Sequence, residues 1–183
     1  MSEEIMIRHC SPTLAGMKTG NLFNTAYENE EELKAFIRHW NRVLGKKGVR
    51  ILPLRCKDNS ALIYVYRPLL LSRCFDDKTF CRLLEERGYS TEKRGTCIVH
   101  LIQRLKESKE FPHEIGLFLG YPPEDVCGFI ENQACGCKCI GCWKVYGDEK
   151  SAQKLFARYK KCTEIYSQQW AKGKSIERLT VAV

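Results

Sequence analysis

The feature that most constrains the fold is a pair of neighbouring segments rich in β-branched and aromatic residues. Residues 49–56 and 61–67 have the content of β-strands, and the four residues between them, Lys57-Asp58-Asn59-Ser60, are typical of a tight turn. The pattern predicts a β-hairpin over about 49–56 and 61–67.

Helical patterns surround this hairpin. Apolar residues at helical spacing predict helices over about 29–44, 77–87 and 96–106, and a long last helix after Gly147 and Asp148. Proline and capping residues at helix starts predict two more, over about 12–18 and 122–130. Apolar runs at 114–120 and 143–146 indicate two further strands. Elements of this mixture favour an α+β fold in which amphipathic helices pack on a small mixed sheet, as one domain over residues 1–183.

Eleven cysteines in 183 residues are the unusual part of the composition. The N-terminus opens with acidic residues and has no long apolar core, so we expect a cytoplasmic protein without a secretory signal. The longest apolar stretches fall far below the roughly 18 residues that a membrane span needs, so we expect no membrane segment. In a reducing compartment the cysteines stay thiols, and their odd number indicates metal chemistry, redox chemistry or packing.

Four of the thiols lie within eight residues, in the segment CGCKCIGC of residues 135–142. Thiolates bind soft or borderline metals, and the two glycines allow the backbone to curl around one ion. The candidate zinc or iron ligands are Cys135, Cys137, Cys139 and Cys142. In an extended segment successive members would lie roughly 7 Å apart, too far for one ion, so the site requires a loop. The commoner role of such residues, as small side chains in an oxidisable loop, stays open.

A second candidate is a catalytic pair. Cys10 precedes Ser11-Pro12, which has the pattern of a helix start, and a helix N-terminus lowers the pKa of a nearby thiol. His113, at the start of the expected strand, would be the base, as in papain-like peptidases, with Glu114 beside it. The run of residues 113–120 is similar to the histidine strand of the NlpC/P60 peptidases, with one extra residue before the glycine. The alternative is a helix cap and a histidine at the edge of a strand.

The last helix carries a third candidate. Lys150, Lys154, Arg158 and Lys161 recur at helical spacing and form a basic row that could track nucleic acid or an acidic partner. The aromatic residues of this helix fall on its apolar stripe and not among the lysines, so no stacking platform is indicated. We therefore favour a solvated surface over a nucleic-acid or acidic partner.

Five motifs together resemble a known family. They are HCSPTLAGMKTG (9–20), ALIYVYR (61–67), FPHEIGLFLGYP (111–122), WKVYGD (143–148) and KCT (161–163). The chain resembles, over nearly its whole length, the bacterial domain-of-unknown-function family 3793. The resemblance implies a bacterial cytoplasmic protein and no particular activity. It places Cys10, Cys139 and Cys162 at positions typical of the family, whereas Cys135, Cys137 and Cys142 depart from its pattern.

Three functional hypotheses follow from the sequence. The leading one is a thiol- or metal-dependent role, with zinc or iron bound or with thiols that change redox state. The second is a hydrolase or transferase with Cys10 as nucleophile and His113 as base. The third is a module without enzymatic activity that binds an anionic partner through the last helix.

Overall fold

The computed structural model describes residues 3–108 and 110–182. The chain forms two compact units, one from Met1–Leu71 with Tyr159–Val183 and the other from Ser72–Arg158. Helices and small sheets occur together, which confirms the α+β class. No helix in these described ranges is both long and apolar enough to cross a membrane.

The first unit is built on a three-stranded sheet. Its strands are β1 (Gly20–Ala26), β2 (Arg50–Lys57) and β3 (Ser60–Tyr66), in the order β1-β3-β2. β2 and β3 form the predicted hairpin, and Asp58 and Asn59 at its turn have φ of 50° and 56°. Short polar residues of this kind are the non-glycine residues that best tolerate such a turn. All pairings of this sheet are antiparallel, whereas a mixed sheet was expected.

Two helices cover the sheet of the first unit. α1 (Glu3–Leu14) packs on β1, and α2 (Glu30–Leu44) packs on β2. α2 begins where the sequence predicts, because the Asn29 side chain accepts a hydrogen bond from the Glu31 amide at 2.8 Å. A 3₁₀ turn at Gly45–Lys47 follows α2. A short helix near the C-terminus, α9 (Ile176–Leu179), adds one residue to the core of this unit. The buried core residues are Met6, Ile7, Cys10, Leu14, Phe23, Leu33, Trp40, Leu44, Val49, Ile51, Ala61, Ile63, Val65 and Ile176.

A buried arginine closes one end of this core. The Arg67 side chain donates from Nε to the Thr13 carbonyl at 2.6 Å and from Nη1 to the Lys47 carbonyl at 3.0 Å. Its Nη2 donates to the carbonyls of Leu14 and Val181 at 2.6 and 2.7 Å. The guanidinium therefore joins the end of α1, the 3₁₀ turn and the C-terminal segment.

The second unit is mostly helical. α3 (Pro68–Cys74) leads into it from the first unit, and α4 (Lys78–Glu85), α5 (Arg94–Glu107), α6 (Ile115–Phe118) and α7 (Pro123–Glu131) follow. β4 (Cys139–Ile140) and β5 (Lys144–Val145) then pair antiparallel, and α8 (Glu149–Ala171) returns the chain to the first unit. Asp77, the first residue of the helix predicted over 77–87, is the N-cap of α4, and its carboxylate accepts hydrogen bonds from the amides of Thr79 and Phe80.

Asp125 attaches the β4–β5 hairpin to α7. This carboxylate is 3% exposed and accepts hydrogen bonds from Trp143 Nε1 at 2.6 Å, the Tyr146 amide at 2.7 Å and the Gly147 amide at 2.8 Å. On the same helix, Gly128 lets Tyr146 approach closely, because an added Cβ would lie 2.5 Å from Tyr146 Cγ. The hairpin is thus positioned by the buried carboxylate of Asp125 and by the absence of a Cβ atom at Gly128.

Two sequence predictions are wrong in ways that affect the candidate sites. The expected strand at 114–120 is a turn followed by the short buried helix α6, since a brief apolar run without period fits a buried helix turn as well as a strand. The expected helix start at Pro12 is instead the last turn of α1, which begins at Glu3. Cys10 therefore does not lie at a helix N-terminus.

Candidate functional site

A cavity in the second unit contains two of the predicted site residues. Its volume is about 570 Å³, within the range of roughly 300–1,000 Å³ that small-molecule sites occupy. It lies between the end of α5, the segment before α6 and the end of α7. Its lining residues are Arg87, Arg104, Ser108, Glu110, Phe111, Pro112, His113, Glu114, Phe129, Ile130, Gln133 and Ala134. We call this cavity the His113 pocket.

Glu114 is the buried acid of the pocket, with 3% of its surface exposed. Its Oε1 accepts a hydrogen bond from the Tyr89 hydroxyl at 2.9 Å. The same oxygen lies 2.8 Å from Arg104 Nε and forms an ion pair with it. The geometry of this contact does not meet the criteria of a hydrogen bond. Burial, and then the charge of Glu114, raises the pKa of Tyr89, so the phenol stays protonated and donates. Since removing one member of such a pair leaves a buried charge, Glu114 has a structural role here.

Two arginines supply the cationic groups of the pocket. Arg104 is held at Nε by Glu114 and at Nη1 by the Arg87 carbonyl, to which it donates at 3.0 Å. Its Nη2 and the guanidinium of Arg87 have no hydrogen-bond or ion-pair partner within residues 3–108 and 110–182. The pocket therefore presents guanidinium donors that the rest of the described chain does not use.

Aromatic rings form another part of the wall. The exposed His113 ring packs on Phe129 with the centroids 4.9 Å apart and the planes at 61°. Phe111 lies 6.4 Å from His113 and is 40% exposed. Lys144 Nζ lies 5.8 Å from the Phe129 ring centroid and donates to the Ala134 carbonyl at 2.8 Å. One side of the pocket is thus a run of ring surfaces with a cation beside it.

The backbone after α7 is unusual at the pocket. Gln133 and Ala134 both have positive φ, 49° and 64°, the left-handed region that non-glycine residues seldom adopt. Each such residue costs about 1–2 kcal/mol. Strain of this kind is concentrated at ligand clamps and active sites, which is one more reason to single out this cavity.

Cys10 does not have the environment of a nucleophile. It lies inside α1 in the first unit with 0% exposure, and burial raises the pKa of its thiol to about 12, although Lys18 acts in the opposite direction. His113 and Glu114 belong to the second unit, and no cysteine is among the residues that line the His113 pocket. The catalytic pair was predicted on the assumption that a helix N-terminus lowers the pKa of Cys10. That assumption is wrong, because Cys10 lies inside α1 and burial raises its pKa.

The cysteine segment forms a loop and a narrow hairpin. Cys135 and Cys142 are exposed, while Cys137 and Cys139 are partly exposed. Burial, followed by the charge of Glu149, raises the pKa of Cys139. In the part of the chain that the structure describes, no three His, Cys, Asp or Glu side chains are grouped so as to hold a metal ion. Zinc or iron binding by these four thiols remains a prediction without support from their arrangement.

The basic row lies along α8 as predicted from its spacing. Lys150, Lys154, Arg158 and Lys161 are all exposed, and no ion pair among the described residues involves them. Binding of an anionic partner by these four residues remains a prediction.

Sequence reasoning found His113 and Glu114 but missed Tyr89, Arg87, Arg104 and Phe129. An arginine on an amphipathic helix looks like an ordinary solvated residue, and Tyr89 follows a glycine outside any recognised motif. Only the tertiary fold brings these side chains to the same place.

One comparison with known proteins gives a match. A family model described as "Protein of unknown function (DUF3793)" matches residues 6–180. Neither a curated protein nor a solved structure matches the chain.

Proposed function

Because the chain belongs to the DUF3793 family, whose description assigns no function, we propose a function from the site alone: it binds a small anionic ligand in the His113 pocket. The observation that carries this proposal is the presence of unused guanidinium donors on Arg87 and Arg104 in a cavity of ligand size.

Arg104 is prepared for such a ligand. Its Nε and Nη1 are fixed by Glu114 and by the Arg87 carbonyl, so its remaining nitrogen is held with little loss of side-chain freedom on binding. Guanidinium groups suit carboxylates and phosphates because their donors match two oxygens at once.

The net charge of the pocket is close to balanced. Arg87 and Arg104 are opposed by Glu110 and Glu114, while Lys144 lies next to Phe129. Glu114 is buried and already paired, and Glu110 is exposed to water. The anion is therefore selected by local donors and not by a strong positive field, so we expect a moderate dependence of affinity on salt.

The other hypotheses have weaker support from the contacts. A nucleophilic Cys10 is disfavoured by its burial, and a thiol- or metal-dependent role rests on residues 135–142 without a grouped ligand set. Binding of nucleic acid or an acidic partner rests only on the exposed row of α8. A bacterial, cytoplasmic setting stays part of the proposal.

Thermal shift and isothermal titration calorimetry with acetate, benzoate, inorganic phosphate and phenyl phosphate test the proposal. At least one of these anions should stabilise the wild-type protein, and Arg87→Gln should abolish that effect. Arg38→Gln is the matched control, since Arg38 is an exposed arginine of α2 outside the pocket. The proposal is wrong if none of the anions binds or if Arg87→Gln binds as the wild type does.

A further inference from the structure

The walls of the pocket also indicate what the anion is attached to. We infer that the ligand of the His113 pocket is an aryl anion, a planar ring that carries a carboxylate or a phosphate. The inference rests on the proposed function and adds the ring, which would stack on the aromatic wall while the anion pairs with the arginines.

The aromatic wall is the first reason. Phe111, His113 and Phe129 form a chain of rings, with centroid separations of 6.4 and 4.9 Å, and all three line the cavity. Their planes are inclined by 55° and 61°, so they do not stack face to face on one another. Ring faces that no neighbouring ring or cation covers can stack on a planar ligand.

The exposure of this wall is the second reason. Phe111 is 40% exposed, and His113 is exposed as well. Exposed aromatic surface beside a cavity is apolar area that a ligand would remove from water. An inorganic anion has no apolar surface to cover these rings, whereas an aryl group has.

A polar group lies beside the rings. Gln133 lines the pocket, its backbone is held in the left-handed region, and its side-chain amide has no hydrogen-bond partner among the described residues. An amide offers both a donor and an acceptor. This side chain can therefore recognise a polar substituent at the edge of a ring.

Matched probes measure the contribution of the ring to the affinity separately from that of the anionic group. Benzoate should bind more tightly than acetate, and phenyl phosphate more tightly than inorganic phosphate, each by about tenfold, the effect expected of one stacking contact. Calorimetry on the full-length wild-type protein measures both ratios.

Phe129→Leu should remove most of the preference for the aryl probes, so the benzoate-to-acetate and phenyl phosphate-to-phosphate affinity ratios should fall towards one. Phe36→Leu is the matched control, because Phe36 is also half-buried and in ring contact, with Trp40 at 6.0 Å, but lies in the first unit. His113→Ala should weaken aryl binding while His39→Ala does not. His39 is an exposed histidine that packs on Trp40 at 5.0 Å and 88°, much as His113 packs on Phe129.

The outcomes distinguish the two proposals. Equal affinities within each pair, with binding still lost in Arg87→Gln, would overturn the aryl preference and leave anion binding intact. Binding of none of the four probes would overturn both. Aryl preference that survives Phe129→Leu and His113→Ala in folded variants would also overturn the inference.

Discussion

Replacing Arg67 by methionine should destabilise the protein severely. Arg67 is 1% exposed, and burial lowers its pKa, yet no carboxylate of residues 3–108 and 110–182 pairs with it. Its charge is balanced instead by four carbonyl oxygens. Two of them, on Thr13 and Leu14, lie at the end of α1, and each also accepts a hydrogen bond from a backbone amide. The negative end of the helix dipole adds to this stabilisation.

The expected size follows from these four bonds. Methionine fills much of the same volume but donates no hydrogen bond. The carbonyls of Lys47 and Val181 then have no donor left among the described residues, whereas those of Thr13 and Leu14 keep a backbone amide donor. Each buried acceptor left without a partner costs about 1–3 kcal/mol. Avoiding the desolvation of the guanidinium offsets part of that, which leaves a net loss of about 2–4 kcal/mol in the free energy of unfolding.

Urea unfolding followed by circular dichroism at neutral pH measures this loss by linear extrapolation. Arg67→Lys keeps the charge but cannot span four carbonyls, so it should lose about half as much. Arg50→Met is the matched control, because Arg50 is exposed and its side-chain hydrogen bond to the Asn41 carbonyl is 3.5 Å long. The control should stay within about 0.5 kcal/mol of the wild type. A loss below about 1 kcal/mol in Arg67→Met would refute the role given to these bonds.

Two further changes test other buried groups. The pKa of Cys10 is raised from 9.0 to about 12 by burial, so its contribution to stability is complete below about pH 9 and falls as the pH rises towards 12, because the unfolded thiol ionises first. Urea titrations at increasing pH should therefore show a steeper fall for the wild type than for Cys10→Ala, and equal slopes would contradict the assignment. In Asp125 one carboxylate oxygen accepts from Trp143 and the other from the amides of Tyr146 and Gly147, and Asp125→Asn replaces one of these oxygens by an NH₂ group that cannot accept. The substitution should therefore cost about 2–4 kcal/mol in the same assay. Asp58→Asn, at an exposed turn position with φ of 50°, is its control, and a similar effect of both substitutions would contradict the role of Asp125.

Local patterns were enough to predict the elements whose signals lie within one segment. The β2–β3 hairpin and α2 carry their own turn residues, cap and periodicity, and both occur where expected. β1 was missed because its short polar and apolar mixture becomes a strand only by pairing with β3. α6 was taken for a strand because four buried apolar residues contain no period to distinguish the two states.

The residues of the His113 pocket also divide into those that a local pattern indicates and those that only the tertiary fold brings together. His113 and Glu114 stand out in the sequence as polar residues at the edge of an apolar run. Their partners come from elsewhere: Tyr89 precedes α5, Arg104 lies within it and Phe129 is on α7. Since nothing local marks these residues as neighbours, the pocket is a property of the tertiary fold and not of any motif.

The order of the two units along the chain has a consequence during protein synthesis. The second unit is one uninterrupted stretch, whereas the first needs both Met1–Leu71 and Tyr159–Val183. Domains commonly fold in the order in which the ribosome makes them, from the N-terminus onwards. Here the segment made first must wait for the segment made last, because Ile176 belongs to its core and the Val181 carbonyl to its buried arginine. On the ribosome, the three sheet strands are therefore made early, but their core lacks Ile176 and Arg67 lacks the Val181 carbonyl when the inserted unit already has all of its residues.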